Sequence, residues 1–92
     1  MNISSFDWQQ KFEPTSYTNY EREKILRFLE SGEPFGVGGR VQDVFTGEYT
    51  PLENAILEKD GYEWAITEAY HFEKYNLPLN EDFVNYVLKK SC

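Results

Sequence analysis

An α+β fold is the expectation for these 92 residues: a single small acidic domain whose short antiparallel sheet, a hairpin around Asp60-Gly61, is flanked by three or four helices. Three features carry it. Hydrophobic residues make up 40% and aromatic residues 17% of the chain, too rich in core-forming side chains for a disordered tail and too short for two domains. A chain this small hides only part of its surface, so its sixteen rings supply a large share of the burial. Asp60-Gly61 lies between Ala55-Ile56-Leu57-Glu58-Lys59 and Tyr62-Glu63-Trp64-Ala65-Ile66, the setting in which a two-residue type I′ turn joins antiparallel strands. Stretches with helix-start signals and amphipathic spacing precede and follow that turn.

Taken in order, Ser5 to Phe12 predicts a short helix that ends before Pro14, anchored by Phe6 with Trp8 or Phe12. Thr18-Asn19-Tyr20-Glu21 matches a capping box and opens a helix over 18–31, with Ile25, Leu26, Phe28 and Leu29 inward and Gly32 closing it in the left-handed conformation. Glu33 to Arg40 holds three glycines and a proline and reads as a loop or a glycine-loosened strand. Val41 to Phe45, then Thr46-Gly47 and Glu48-Tyr49, read as a strand, a turn and a return. Thr67 caps a helix to Asn76, and Leu77-Pro78-Leu79 ends it. Asn80 caps the last helix, Glu81 to Lys90, whose acids sit at its positive end and whose lysines sit at its negative end.

Thr50 to Ile66 supports two incompatible structures. Thr50-Pro51-Leu52-Glu53 is a capping box with proline at the first helical position, which would launch a helix through Leu57 or Lys59. Tyr62, Trp64 and Ile66 alternate with Glu63 and Ala65 as a half-buried strand requires, and together with Asp60-Gly61 they favour the hairpin. Glutamate recurs every five residues from Glu48 to Glu73, but a five-residue step makes no single stripe on a helix or a strand, so the spacing reads as chance.

The net charge is −7 and unevenly spread. Residues 1–40 hold six acids and five bases, residues 41–88 ten acids and two bases. Such a surface repels phosphate backbones, so direct nucleic-acid binding is not expected, whereas a basic protein would be steered toward it. The first residues show no basic region followed by an apolar run, and the longest apolar stretches are pairs, so neither export nor membrane insertion is expected. The sole cysteine, Cys92, rules out an intramolecular disulfide, and a cytoplasmic location is the expectation.

No motif dictates a chemistry. Gly36-Val37-Gly38-Gly39-Arg40-Val41 lacks both the last glycine of a dinucleotide fingerprint and the Gly-Lys-Ser/Thr of a phosphate loop, so a backbone bend or bulge is its reading. His71, the only histidine, has Glu68 and Glu73 nearby but neither a matching nucleophile nor a set of zinc ligands, and reads as a hydrogen-bonded histidine at the core edge. The carboxylates follow no calcium-loop spacing. No cofactor, metal or catalytic residue is assigned.

What stands out is rings among acids: Tyr62, Glu63, Trp64, Glu68, Tyr70, His71, Glu73 and Tyr75 are the candidate partner-binding residues. The expected function is a small protein-interaction module docking on a basic partner, in the manner of an inhibitor, antitoxin or immunity protein, which blocks a nucleic-acid site with phosphate-like charge. A homodimer held together by those rings is the structural alternative. A small ligand-binding protein or enzyme using Arg40, Asp43 and His71 is the third reading.

Overall fold

Helix formation begins where the Thr18 hydroxyl accepts from the Glu21 amide at 3.1 Å and the Glu21 carboxylate accepts from the Thr18 amide at 2.9 Å. This is the expected capping box, and it opens α1 (Asn19–Glu30) in a computed structural model that describes residues 3–4 and 11–90. The short helix expected over Ser5 to Phe12 lies mostly outside the described residues; Lys11 and Phe12 are not helical. Ile25, Phe28 and Leu29 form the buried face of α1. Gly32 does not adopt the left-handed conformation expected of it, since positive φ among the described glycines occurs at Gly39, Gly47 and Gly61. A side chain there would meet Trp64: an added Cβ would lie 2.5 Å from the indole Cζ2. The glycine lets the chain pass directly over that ring.

Three strands follow, β1 (Glu33–Gln42), β2 (Tyr49–Lys59) and β3 (Tyr62–Ala65), forming an antiparallel sheet in the order β1-β2-β3. The glycine-rich stretch is therefore strand, and the strand expected over Val41 to Phe45 stops at Gln42. Asp43 turns the chain there: its Oδ1 accepts from the Phe45 and Thr46 amides at 2.8 and 3.1 Å, and Gly47 supplies a φ of +75°. Pairing of β1 with β2 slips at three places, between Pro34 and Gly36, Val37 and Arg40, and Arg40 and Gln42.

The β2–β3 hairpin is regular, with Leu57 opposite Trp64 and Lys59 opposite Tyr62. Asp60 and Gly61 both have positive φ, 54° and 84°, as a type I′ turn demands. The helix alternative over Thr50 to Lys59 is not adopted. The Thr50 hydroxyl accepts instead from the Leu52 amide at 3.2 Å, and Pro51 sits where the β1–β2 ladder is interrupted, so its missing N–H forfeits no strand bond.

The next helix, α2 (Ile66–Tyr75), starts just ahead of the expected cap: Ala65 precedes it, donating its amide to Glu68 Oε1 at 3.1 Å, while the Thr67 amide donates to the Asn54 side chain at 3.2 Å. Asn76, left-handed at φ 57°, closes it, and Arg22 of α1 donates to the Phe72 and Glu73 carbonyls and to the Asn76 side chain, fastening α1 to that end. The last helix, α3 (Glu81–Lys90), follows Asn80 and buries Phe83 and Val87. Among the described residues, three helices on a three-stranded antiparallel sheet make the fold α+β. Its core joins Ile3, Ile25, Phe28, Leu29, Trp64, Phe72, Leu77, Phe83 and Val87. Among the described residues no helix is long and apolar enough to cross a membrane.

Candidate functional site

The eight side chains singled out from the sequence do not share one outward patch. Trp64, Glu68 and His71 are interior, at 1%, 5% and 0% exposure. Tyr62 is half-buried against Phe83 and Tyr86, with ring centroids 5.0 and 5.3 Å away. Tyr70 and Tyr75 both donate their hydroxyls to Asp43 Oδ2, at 2.7 and 2.6 Å. Glu63 is half-buried, and only Glu73 is well exposed. The reason is the position of α2, which meets β1 and β2 on one side and α1 on another, so its rings are absorbed by contacts within the chain. Burial pushes the Glu68 carboxyl up, against the opposing bonds from the Ser4 hydroxyl at 2.6 Å and the Ala65 amide.

Asp43 and His71, two members of the ligand-binding reading, are neighbours through the β1–β2 turn, but both are committed to holding it. Burial alone would raise the Asp43 carboxyl; the bonds from Tyr75, Tyr70 and the Phe45 and Thr46 amides outweigh it and hold the group well below the usual carboxylate range. Lys74 stands 3.8 Å from Asp43, whereas Arg40, the third member of that reading, lies exposed on β1 opposite Glu53. His71 Nε2 accepts from the Val44 amide at 3.1 Å, so Nδ1 carries the proton and donates to the Thr67 carbonyl at 2.8 Å. Burial pushes this ring's pKa down, and the neutral form is the one the fold uses. A cleft of about 460 Å³ opens beside Asp43, but the carboxylate's four donors leave it turned to the turn and α2. Among the described residues no group of three or more His, Cys, Asp or Glu could hold a metal ion.

The acidic character gathers on the sheet instead. Register places Glu33 opposite Glu58, and Glu58 opposite Glu63, a row of three carboxylates running across all three strands. Like charges directly opposite one another are unfavourable, so the row costs the fold stability. The five-residue glutamate step, meaningless within one strand, becomes a cross-strand pair at Glu58 and Glu63 because a two-residue turn brings residues five apart face to face. Ile56, two residues from Glu58, shares its face and lies opposite Gly36 and Ala65, whose small side chains leave it 37% exposed. Nearby on β1, Phe35 and Val37 are 58% and 77% exposed. Tyr49 and Leu52 of β2 are also open.

These apolar positions were hidden in the sequence, where glycines and a proline break the alternation that marks a strand face. The interleaving of Phe35 and Val37 with glycines was the available signal, since a side chain flanked by glycine has little to cover it. Compared with family models, with curated proteins and with solved structures, the chain matches none.

Proposed function

We propose that this protein is an interaction module that docks a basic protein segment on the outer face of its sheet. The observation that supports the reading is the juxtaposition of the Glu33-Glu58-Glu63 row with the exposed Phe35 and Ile56. Apolar side chains left open on a small protein mark contact surfaces, and a line of carboxylates selects a cationic counterpart while speeding encounter. Lys or Arg from a partner would relieve the mutual repulsion of the row, so stability that the row takes from the free protein returns as affinity. The same logic fits an inhibitor of a basic nucleic-acid-binding protein, whose site already accepts a line of phosphates. The surface differs from the one the sequence suggested, with Glu63 common to both.

Self-association through the open edge of β1 is the lesser reading, because the slips beside Phe35 and between Val37 and Arg40 break the regular ladder a second strand would need. The test is capture from the native host with immobilised protein at low and high salt, comparing the wild type with Phe35→Ser and Glu58→Lys. A basic protein retained at low salt, weakened at high salt and lost with both variants is the expected result. Capture that both variants leave unchanged, or no capture at either salt, would overturn it. Light scattering over a concentration series checks the alternative, and a concentration-dependent dimer that Phe35→Ser abolishes would favour self-association.

A further inference from the structure

The β1–β2 turn is fastened to α2 at two neighbouring points that differ in what a proton does to them. Asp43 makes the first: its carboxylate accepts from the Tyr70 and Tyr75 hydroxyls at 2.7 and 2.6 Å, with Lys74 3.8 Å away. His71 makes the second, where Nε2 accepts from the Val44 amide at 3.1 Å. Near neutral pH a carboxylate always accepts, but an imidazole nitrogen accepts only while it is bare. One proton on Nε2 would set two N–H groups pointing at each other.

Neither side yields easily. The His71 ring is fully enclosed, its Nδ1 donates to the Thr67 carbonyl at 2.8 Å, and Tyr75 stacks on it with centroids 5.9 Å apart. Tyr70 and Phe12 meet it edge-on at 5.0 and 6.1 Å. On the turn side, the Val44 N–H shares one rigid peptide plane with the Asp43 carbonyl, which accepts from the Gly47 amide at 2.7 Å and closes the turn. Rotating the N–H away from the ring rotates that carbonyl as well, and the closing bond breaks.

The turn lies outside the parts that hold the fold together. Pairing of β1 with β2 ends at Gln42 and Tyr49, and no residue of the turn belongs to the buried cluster that forms the core. Phe45 packs instead on Phe12 and Tyr75, at 5.0 and 4.4 Å. A short segment held by so few buried contacts opens at a fraction of the cost of global unfolding.

We infer that the β1–β2 turn is a proton-operated latch: uptake of one proton by His71 opens residues 44–47 and uncovers Phe45, while the helices and the sheet stay folded. The groups facing the ring set its range. Burial has the largest influence and disfavours the charged ring; the Thr67 carbonyl and Asp43, from the turn, favour it, and Lys74, further along α2, opposes it. Glu68, one turn earlier on α2, is taken up by the Ser4 hydroxyl and the Ala65 amide. The closed turn therefore resists the proton, and the open turn accepts it near the ordinary 6.5. Below that value the balance moves toward the open form by at most about tenfold per pH unit. This latch is independent of the acidic face, and either can fail without the other.

Amide hydrogen exchange followed by NMR from pH 7 to 5.5, corrected for the intrinsic pH dependence of exchange, tests it. The amide of Ile25, buried in α1, serves as the reporter of global unfolding. Val44 and Gly47 should exchange about a hundredfold faster than Ile25, and their opening should grow severalfold toward the acid end. His71→Gln, whose side-chain carbonyl accepts at any pH, should abolish that growth. Phe45→Ala leaves the ring in place and removes packing that only the closed turn makes, so it should raise the opening of Val44 about tenfold at every pH and keep the slope. Val44 exchanging no faster than Ile25, an opening that pH does not change, a slope that His71→Gln retains, or an opening that Phe45→Ala leaves unaltered would each overturn the proposal.

Discussion

His71 shows how much can depend on which ring nitrogen holds the proton. With Nε2 accepting from Val44 and Nδ1 donating to Thr67, a second proton on the ring would oppose the Val44 amide and break the link between α2 and the β1–β2 turn. Its pKa in the folded chain lies below the ordinary 6.5, so the unfolded chain takes up the proton first and stability falls as pH drops through 6.5. The loss cannot exceed about 1.4 kcal/mol per pH unit for one group. Asp43, shifted downward, acts in the same direction only below its ordinary 3.8, while Glu68, shifted upward from 4.5, works the opposite way because the folded form takes up its proton first, so between pH 7 and 5.5 the histidine's share is the part of the slope that goes with the ring. Urea unfolding across that interval should show the slope in the wild type and lose it in His71→Gln. Gly32 makes a separate prediction. Because an added Cβ would press on the indole at 2.5 Å, Gly32→Ala should cost about 1–3 kcal/mol by overpacking and alter the fluorescence of Trp64. An unchanged unfolding midpoint would show that the ring can move aside.

At the scale of elements, what the sequence made legible was whatever is decided within a few residues. The Thr18 capping box, the Asp60-Gly61 turn and the charged ends of α3 are local devices, and each appears where its residues stand. The choice over 50–59 was settled by Asp60-Gly61 and by the β1 pairing, against a local helix signal at Thr50-Pro51. Side-chain destinations were less legible because they depend on packing between distant segments. Glu68 and Ser4, sixty-four positions apart, meet in the interior, and His71 is enclosed by Val44 and Phe12 from two different parts of the chain. The acidic row belongs to this scale too, since only the register of two hairpins creates it. Its central member offers a test: Glu58→Gln should stabilise the isolated protein by about 0.2–1 kcal/mol while slowing association with a basic partner, two effects of opposite value from one substitution. Stopped-flow association and urea unfolding read them separately.

Across the whole molecule, the −7 net charge turns out to be an average over two unlike sides. The sheet's outer face is acidic and partly apolar, Lys24, Arg27, Lys59 and Lys90 gather around a cleft beside its inner face, and the core of rings lies between the helices and that inner face. A bulk figure for charge therefore says little about what either side attracts. One further feature bears on handling the protein. Ile3 is fully enclosed, its carbonyl accepts from the Asn80 amide at 2.7 Å, and the adjoining Ser4 hydroxyl is bound to Glu68, so these two residues plug the interior between α2 and the start of α3. A label or a protease clip at Ile3 or Ser4 would tug on the keystone of the packing, whereas Lys89, exposed near the end of α3, is the safer place to attach a label or a surface.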